Sequence, residues 1–124
     1  MLPARNRLRT SADFSHTVRS GVRQGRRNVV LYAAVSDDSR PSRFGFIVSK
    51  AVGNAVVRNL VKRRLREAGA ETLRDRPTGL DVVVRALPSA ASADWASLRG
   101  DYYSALRGAL RRLTPAGDTG TEVG

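Results

Sequence analysis

The sequence predicts an α+β domain of two layers, in the order helix, two or three strands, helix, strand, helix. Three observations predict it. Runs rich in β-branched residues stand at Val29–Val35 and in LDVVVRA, each bounded by turn residues, as strands are. Between RFGFIVS and the segment from about Asn54 to Leu73 the apolar period lengthens from strand-like alternation to about 3.6 residues. Near the end, SADWASLRGDYYSALRGALRRL sets Trp95, Leu98, Tyr102, Leu106, Ala109, Leu110 and Leu113 on one stripe, the pattern of a helix laid on a core. At 124 residues the chain can build one modest core and not two. A single domain is expected over residues 1–113, and the apolar-poor TPAGDTGTEVG, residues 114–124, is expected to be a disordered tail.

The elements follow in order. In TSADFSHTVRSG, Thr10 or Ser11 can cap a short helix, Asp13 suits its first turn, and Gly21 can end it. Its apolar side is Phe14 with Val18, an i, i+4 pair. The stretch VRQGRRNVVLYAAV ends in the first long strand, and SDDSRPS is a polar turn. RFGFIVS alternates, with Phe44, Phe46 and Val48 on one side, while Gly45 on the other leaves room for a close approach to the sheet. Lys50 to Gly53 leaves the strand, and RDRPTG closes the long helix that follows. LDVVVRA is so continuous in Val that both of its faces should be buried, and Pro88 comes after it.

Charge narrows the function. Lys and Arg number 22 against 11 Asp and Glu, a net +11, so a polyanion is the expected partner. Most of the cations are Arg, whose planar fork pairs two donors with a phosphate and can stack on a base, which suits RNA. Cysteine is absent and His16 is the lone histidine, which excludes a disulfide framework, a Cys-zinc site and a thiol nucleophile. No run approaches the ~20 apolar residues of a bilayer span, and the basic start MLPARNRLRT has no apolar stretch behind it. The expectation is a cytoplasmic protein with no membrane partner.

The most ordered charge lies in KAVGNAVVRNLVKRRLRE, Lys50 to Glu67. At ~100° per residue, Val57, Leu60, Val61, Leu65 and Ala68 gather on one helical face, and Arg58, Asn59, Lys62, Arg63 and Arg66 on the other. Arg58, Lys62 and Arg66 are stacked at i, i+4 without an intervening acid, a repulsion that an arriving polyanion would relieve. The GNA turn adds exposed N–H groups at a helix start, a place for an anion. Arg64 breaks the pattern, pointing toward the apolar arc, so its stem must pack while its head reaches out. Periodicity alone leaves two accounts open, a binding face and an ordinary solvated one.

FGFIVSKAVGNAVVRNLVKRRLRE resembles the signature of the bacterial ribonuclease P protein subunit, in which a strand ending VSK precedes a Gly-Asn-Ala-Val turn, an Arg-Asn pair and a run of helical cations. RNRLRTSADF, the LY of the first long strand and VVVRALPSA extend the likeness over residues 5 to 113. The resemblance implies an α-β-β-β-α-β-α sandwich with a left-handed β-α-β crossover, like a ribosomal-protein domain, against the usual hand. It implies an accessory subunit, monomeric within its complex, that joins a catalytic RNA in the endonucleolytic removal of the 5′ leader from precursor tRNA. The chemistry would belong to Mg²⁺ held by that RNA, with no catalytic and no metal-binding residue in the protein.

Carried over position by position, Lys50, Asn54, Arg58, Asn59, Lys62, Arg63 and Arg66 match the family's basic motif and should face RNA, while Phe14 and Tyr32 match aromatics of a leader cleft. Three positions depart. Leu60 follows Arg58-Asn59 where the family commonly has a second Arg, and Val18 and Val29 stand where aromatics are frequent, so the cleft should lean more on charge than on stacking. A structural RNA-binding protein such as a ribosomal one is the alternative. A DNA-binding module is a further rival, but no helix-turn-helix partner accompanies the basic helix.

Overall fold

The computed structural model describes residues 2–113, so the expected tail at 114–124 lies outside the described residues. Helix α1 (Ser11–Ser20) begins where Thr10 Oγ1 accepts the Asp13 N–H at 3.1 Å. It ends at Gly21, where any Cβ would sit 2.5 Å from the Thr17 carbonyl oxygen and 2.8 Å from that of Ala33. Strands β1 (Val22–Gly25) and β2 (Val29–Val35) form an antiparallel hairpin. Then come β3 (Arg43–Ile47), α2 (Ala55–Asp75), β4 (Leu80–Ala86) and α3 (Trp95–Leu113). The third strand before α2 is thus β1, only four residues long. It is paired by its hairpin and overlain by α3, whose Gly108 lets the helix come so close that a Cβ would lie 2.7 Å from Gln24 Oε1.

The sheet order is β1-β2-β4-β3, with β4 antiparallel to β2 and parallel to β3. A parallel pair needs a crossover, and α2 supplies it. Registered rows fix the two faces. Arg23, Tyr32, Val83 and Gly45 stand side by side across the four strands, and their neighbours Val22, Ala33, Val82 and Phe44 point the other way. The second set meets α2 and α3, burying Leu31, Phe44, Val61, Leu65, Val82, Val84, Leu98 and Tyr102 in one core. The first set meets α1, which lies over β2 and β4. Central β4 is covered on both sides, so Val82, Val83 and Val84 are fully buried, as the near-continuous valine run requires.

Within the core, Thr72 donates its hydroxyl hydrogen to the Ala68 carbonyl, so Tyr102 must be the donor in its 2.8 Å bond to Thr72 Oγ1. The apolar arc of α2 is narrower than its periodicity suggests. Val61, Leu65 and Ala68 are buried, but Leu60, expected beside them, is 36% exposed. The sheet is only four strands wide, with α3 beside α2, and it does not reach that flank.

Candidate nucleic-acid interface

Asn54 starts α2. Its Oδ1 accepts the Val57 N–H at 3.0 Å, so this expected contact residue is an N-cap, with its amide nitrogen left for a ligand. Arg58 folds back, its Nε donating to the Gly53 carbonyl at 3.2 Å, which fixes the turn and leaves its two terminal nitrogens outward. Lys50 is exposed in the turn just before it. One and two turns along α2, Asn59, Lys62, Arg63 and Arg66 line a shallow groove with Glu67 as its acid. None of the four cations Arg58, Lys62, Arg63 and Arg66 is in a salt bridge among the described residues. Asn59, Lys62, Arg63 and Arg66 therefore come together on one face of α2, while Asn54 and Arg58 hold the helix start and Lys50 precedes it.

Arg64 answers its own puzzle. Its Nη1 donates to the Ala93 carbonyl at 3.3 Å, in the loop leading into α3. The next residue, Asp94, caps α3 by accepting the Ser97 N–H at 2.7 Å. That bond is the main reason its carboxyl stays below the usual range, with Arg64 adding a smaller pull. Arg64 is thus a strut between α2 and α3 rather than a member of the cationic face.

Phe14 and Tyr32 lie on the sheet's other face, but apart. Phe14 sits on Gly45: a Cβ at 45 would stand 2.5 Å from its Cε2 and Cζ. This is the close approach that the glycine permits. Tyr32 is two strands away across Val83, so ~10 Å of sheet separates their seats. The strand register adds two exposed cations that helical spacing could not announce. Arg23 pairs with Tyr32, and Arg85 pairs with Val30 and Ile47 on the same face. Val29 is a different case. It is buried on the opposite face, so its lack of an aromatic ring takes nothing from the cleft.

The cleft is braced by an ion cluster. Arg43 donates to both oxygens of buried Asp81, at 3.2 and 3.0 Å, and its Nη1 lies 3.4 Å from Asp13 of α1. The bond to Asp81 raises the Arg43 pKa further above its ordinary value. Asp13 and Asp81 are therefore committed to a guanidinium, and no group of three His, Asp or Glu side chains gathers among the described residues. The donors of the described residues do not fit a dedicated Mg²⁺ site.

A family model described as Ribonuclease P matches residues 2–110. The chain is 72% identical over 113 residues to the ribonuclease P protein component of Pseudarthrobacter chlorophenolicus, covering 91% of this chain and 83% of that one. It is 65% identical over 112 residues to that of Kocuria rhizophila, covering 90% and 98%. Among solved structures, the RNase P protein of Staphylococcus aureus superposes with a TM-score of 0.73 at 27% identity, over 82% of this chain and 93% of that one. The RNase P protein of Thermotoga maritima does so with a TM-score of 0.67 at 26% identity, over 81% and 94%.

Proposed function

The chain belongs to the ribonuclease P protein family, as the accessory protein subunit of that ribonucleoprotein endoribonuclease, and we propose that it divides two RNA contacts between two surfaces. The α2 face with Lys50, Asn54, Arg58, Asn59, Lys62, Arg63 and Arg66 holds the catalytic RNA. The cleft of Phe14 and Tyr32 takes the 5′ leader of precursor tRNA, so that one chain ties substrate to catalyst. The observation that carries this is the α2 face itself: four cations on two helical turns with no salt bridge among the described residues, while Phe14 and Tyr32 lie on the sheet's other face. Like charges at i, i+4 destabilise an isolated helix, and phosphates would convert that cost into affinity by releasing their counterions.

The protein's part is then binding and positioning. Mg²⁺ would be held by the partner RNA and would supply the Lewis-acid chemistry there. The expected setting is the bacterial cytoplasm, where precursor tRNA is trimmed, with the protein monomeric within the holoenzyme. Reconstitution tests the proposal: at limiting Mg²⁺ the protein should restore cleavage by a bacterial catalytic RNA while cutting nothing alone. Tyr32→Ala should lower precursor affinity by ~1–3 kcal/mol, the value of one stacked base, and leave mature tRNA unaffected. Robust cleavage by the RNA-free protein would defeat the reading.

A further inference from the structure

A cleft of about 330 Å³ opens at the β3 edge of the sheet, lined by Arg7, Leu8, Phe14, Phe46, Lys62 and Arg66 with Leu2 at its base. It lies where the two surfaces just described meet, and neither Arg7 nor Phe46 belongs to either. The segment before α1 forms its rim, because Leu8 N–H donates to the Phe44 carbonyl at 2.9 Å and lays that segment along β3. Both rings are held in place by glycines. The tip of Phe14 rests on Gly45, and the Cζ of Phe46 lies 2.9 Å from where a Cβ of Gly69 would be. Each ring remains partly exposed beyond its seat.

The cations are equally set. Arg7 is tethered by Nε to the Leu2 carbonyl at 3.0 Å, and its two terminal nitrogens have no partner among the described residues. Lys62 and Arg66 stand one turn apart on α2, and no acid lines the cleft. By contrast, the roomier hollow of about 540 Å³ beside the start of α3 is lined by two acids, Asp94 and Asp101, against one cation, Arg27, and offers an anion no net attraction. Two seated rings beside three unpaired cations, in a volume suited to a small ligand, match one chemistry, a planar base joined to a phosphate.

We propose that this edge cleft is a pocket for one unpaired nucleotide of the bound RNA, its base packed against Phe46 on the α2 side of the β3 edge with Phe14 bordering it from the α1 side, and its phosphate held by Arg7, Lys62 and Arg66. The inference rests on the RNA-binding function above and adds a site to it. A paired base cannot present its face to the rings, so the nucleotide is single-stranded. Its chain would turn around the β3 edge, from the α1 side of the sheet to the α2 side. Such a nucleotide has two sources, the leader or an unpaired residue of the catalytic RNA.

The test uses the assembled complex. The fluorescent base 2-aminopurine is placed singly along the leader and, in a second series, at unpaired adenosines of the catalytic RNA. One position should change emission on assembly and lose that change with Phe46→Leu, with affinity for the RNA concerned falling about five- to tenfold, part of the effect of a stacked base. The series that responds identifies the source. Arg7→Gln, which keeps a donor toward Leu2, should lower the log–log salt slope of binding by about 0.7, one phosphate on a single strand. If Phe46→Leu disturbs the thermal midpoint, the Arg7 variant decides. No Phe46-dependent position in either series, or an unchanged slope with Arg7→Gln, overturns the pocket. The wider function fails on a different result, cleavage by the RNA-free protein.

Discussion

Gly45→Ala should unseat Phe14. The added methyl would stand 2.5 Å from Cε2 and Cζ of that ring and 3.2 Å from Leu8 Cβ, against ~3.5–4.0 Å for carbon atoms in contact. The ring must therefore retreat by about 1 Å or more. Overpacking of this kind costs ~1–3 kcal/mol. The lower half applies here, because the clashing atoms are the far end of a partly exposed side chain. A loss of ~1–2 kcal/mol in a domain of this size lowers the thermal midpoint by about 4–8 °C. Displacing the ring also spoils the cleft, so the ratio of precursor to mature tRNA affinity in the assembled complex should fall with it. The paired variant Gly45→Ala with Phe14→Leu separates the two effects. If the clash is the cause, the second change restores part of the midpoint while leaving the affinity ratio low, a coupling of at least ~0.5 kcal/mol. A midpoint and a ratio both unchanged in Gly45→Ala would refute the claim that Phe14 is seated on this glycine.

The α2 face, the ion cluster and the contacts of Glu71 on α2 with α3 each give a further expectation. Replacing Lys62, Arg63 and Arg66 by Ala should flatten the salt dependence of catalytic-RNA binding, by up to ~0.9 in log–log slope for each duplex phosphate lost, at an unchanged midpoint; an unaltered slope would make the face merely solvated. Arg43→Met strands Asp81 in a buried site and should cost roughly 2–3 kcal/mol by chemical denaturation, less than the full value for a buried pair because Arg43 keeps some contact with water. Recovery of stability in Arg43→Met with Asp81→Leu would identify the stranded charge as the cause. Glu71 accepts from Tyr103 Oη at 2.6 Å and from Arg99 at 2.9 Å, and the Tyr103 bond chiefly holds its carboxyl below the usual value. A lowered folded pKa gives stability that is present above the unfolded value and lost as pH falls through the folded one. Acid denaturation below about pH 4.5 should therefore be shallower in Glu71→Gln, and identical acid limbs would dismiss the contribution.

Much of this architecture could be read from spacing, and the remainder depends on which strands become neighbours. Thr10, Asn54 and Gly21 mark helix ends by local chemistry, which a sequence displays directly. The valine run of β4 announced burial on both faces for the same reason. β1 was harder, because VRQG carries one strong strand former and gains its place from the hairpin and from α3. Arg64 was unreadable, since its partner is a backbone carbonyl 29 residues away. Arg23 and Arg85 join the cleft face only through the sheet register, and no periodicity within one segment could place them beside Tyr32.

The distribution of aromatic rings shows what register decides. By sequence alone, Val18 and Val29 both stand where the leader cleft would carry rings. Val29 falls out of that account, because strand alternation turns it into the core beside Ala86 and away from Tyr32. Val18 stays in it as an exposed position on α1. Phe46 alternates in the opposite sense to Gly45 and would be plain core in a central strand. Because β3 is the edge of the sheet, bridged at Phe44 by the Arg7–Leu8 segment but not paired by a fifth strand, the space beyond Phe46 is open to Lys62 and Arg66. The rings are therefore distributed around the β3 edge rather than gathered on one face. Charge and stacking meet there, and an RNA strand engaging both would be held by its phosphates on α2 and by its bases on Phe14 and Phe46.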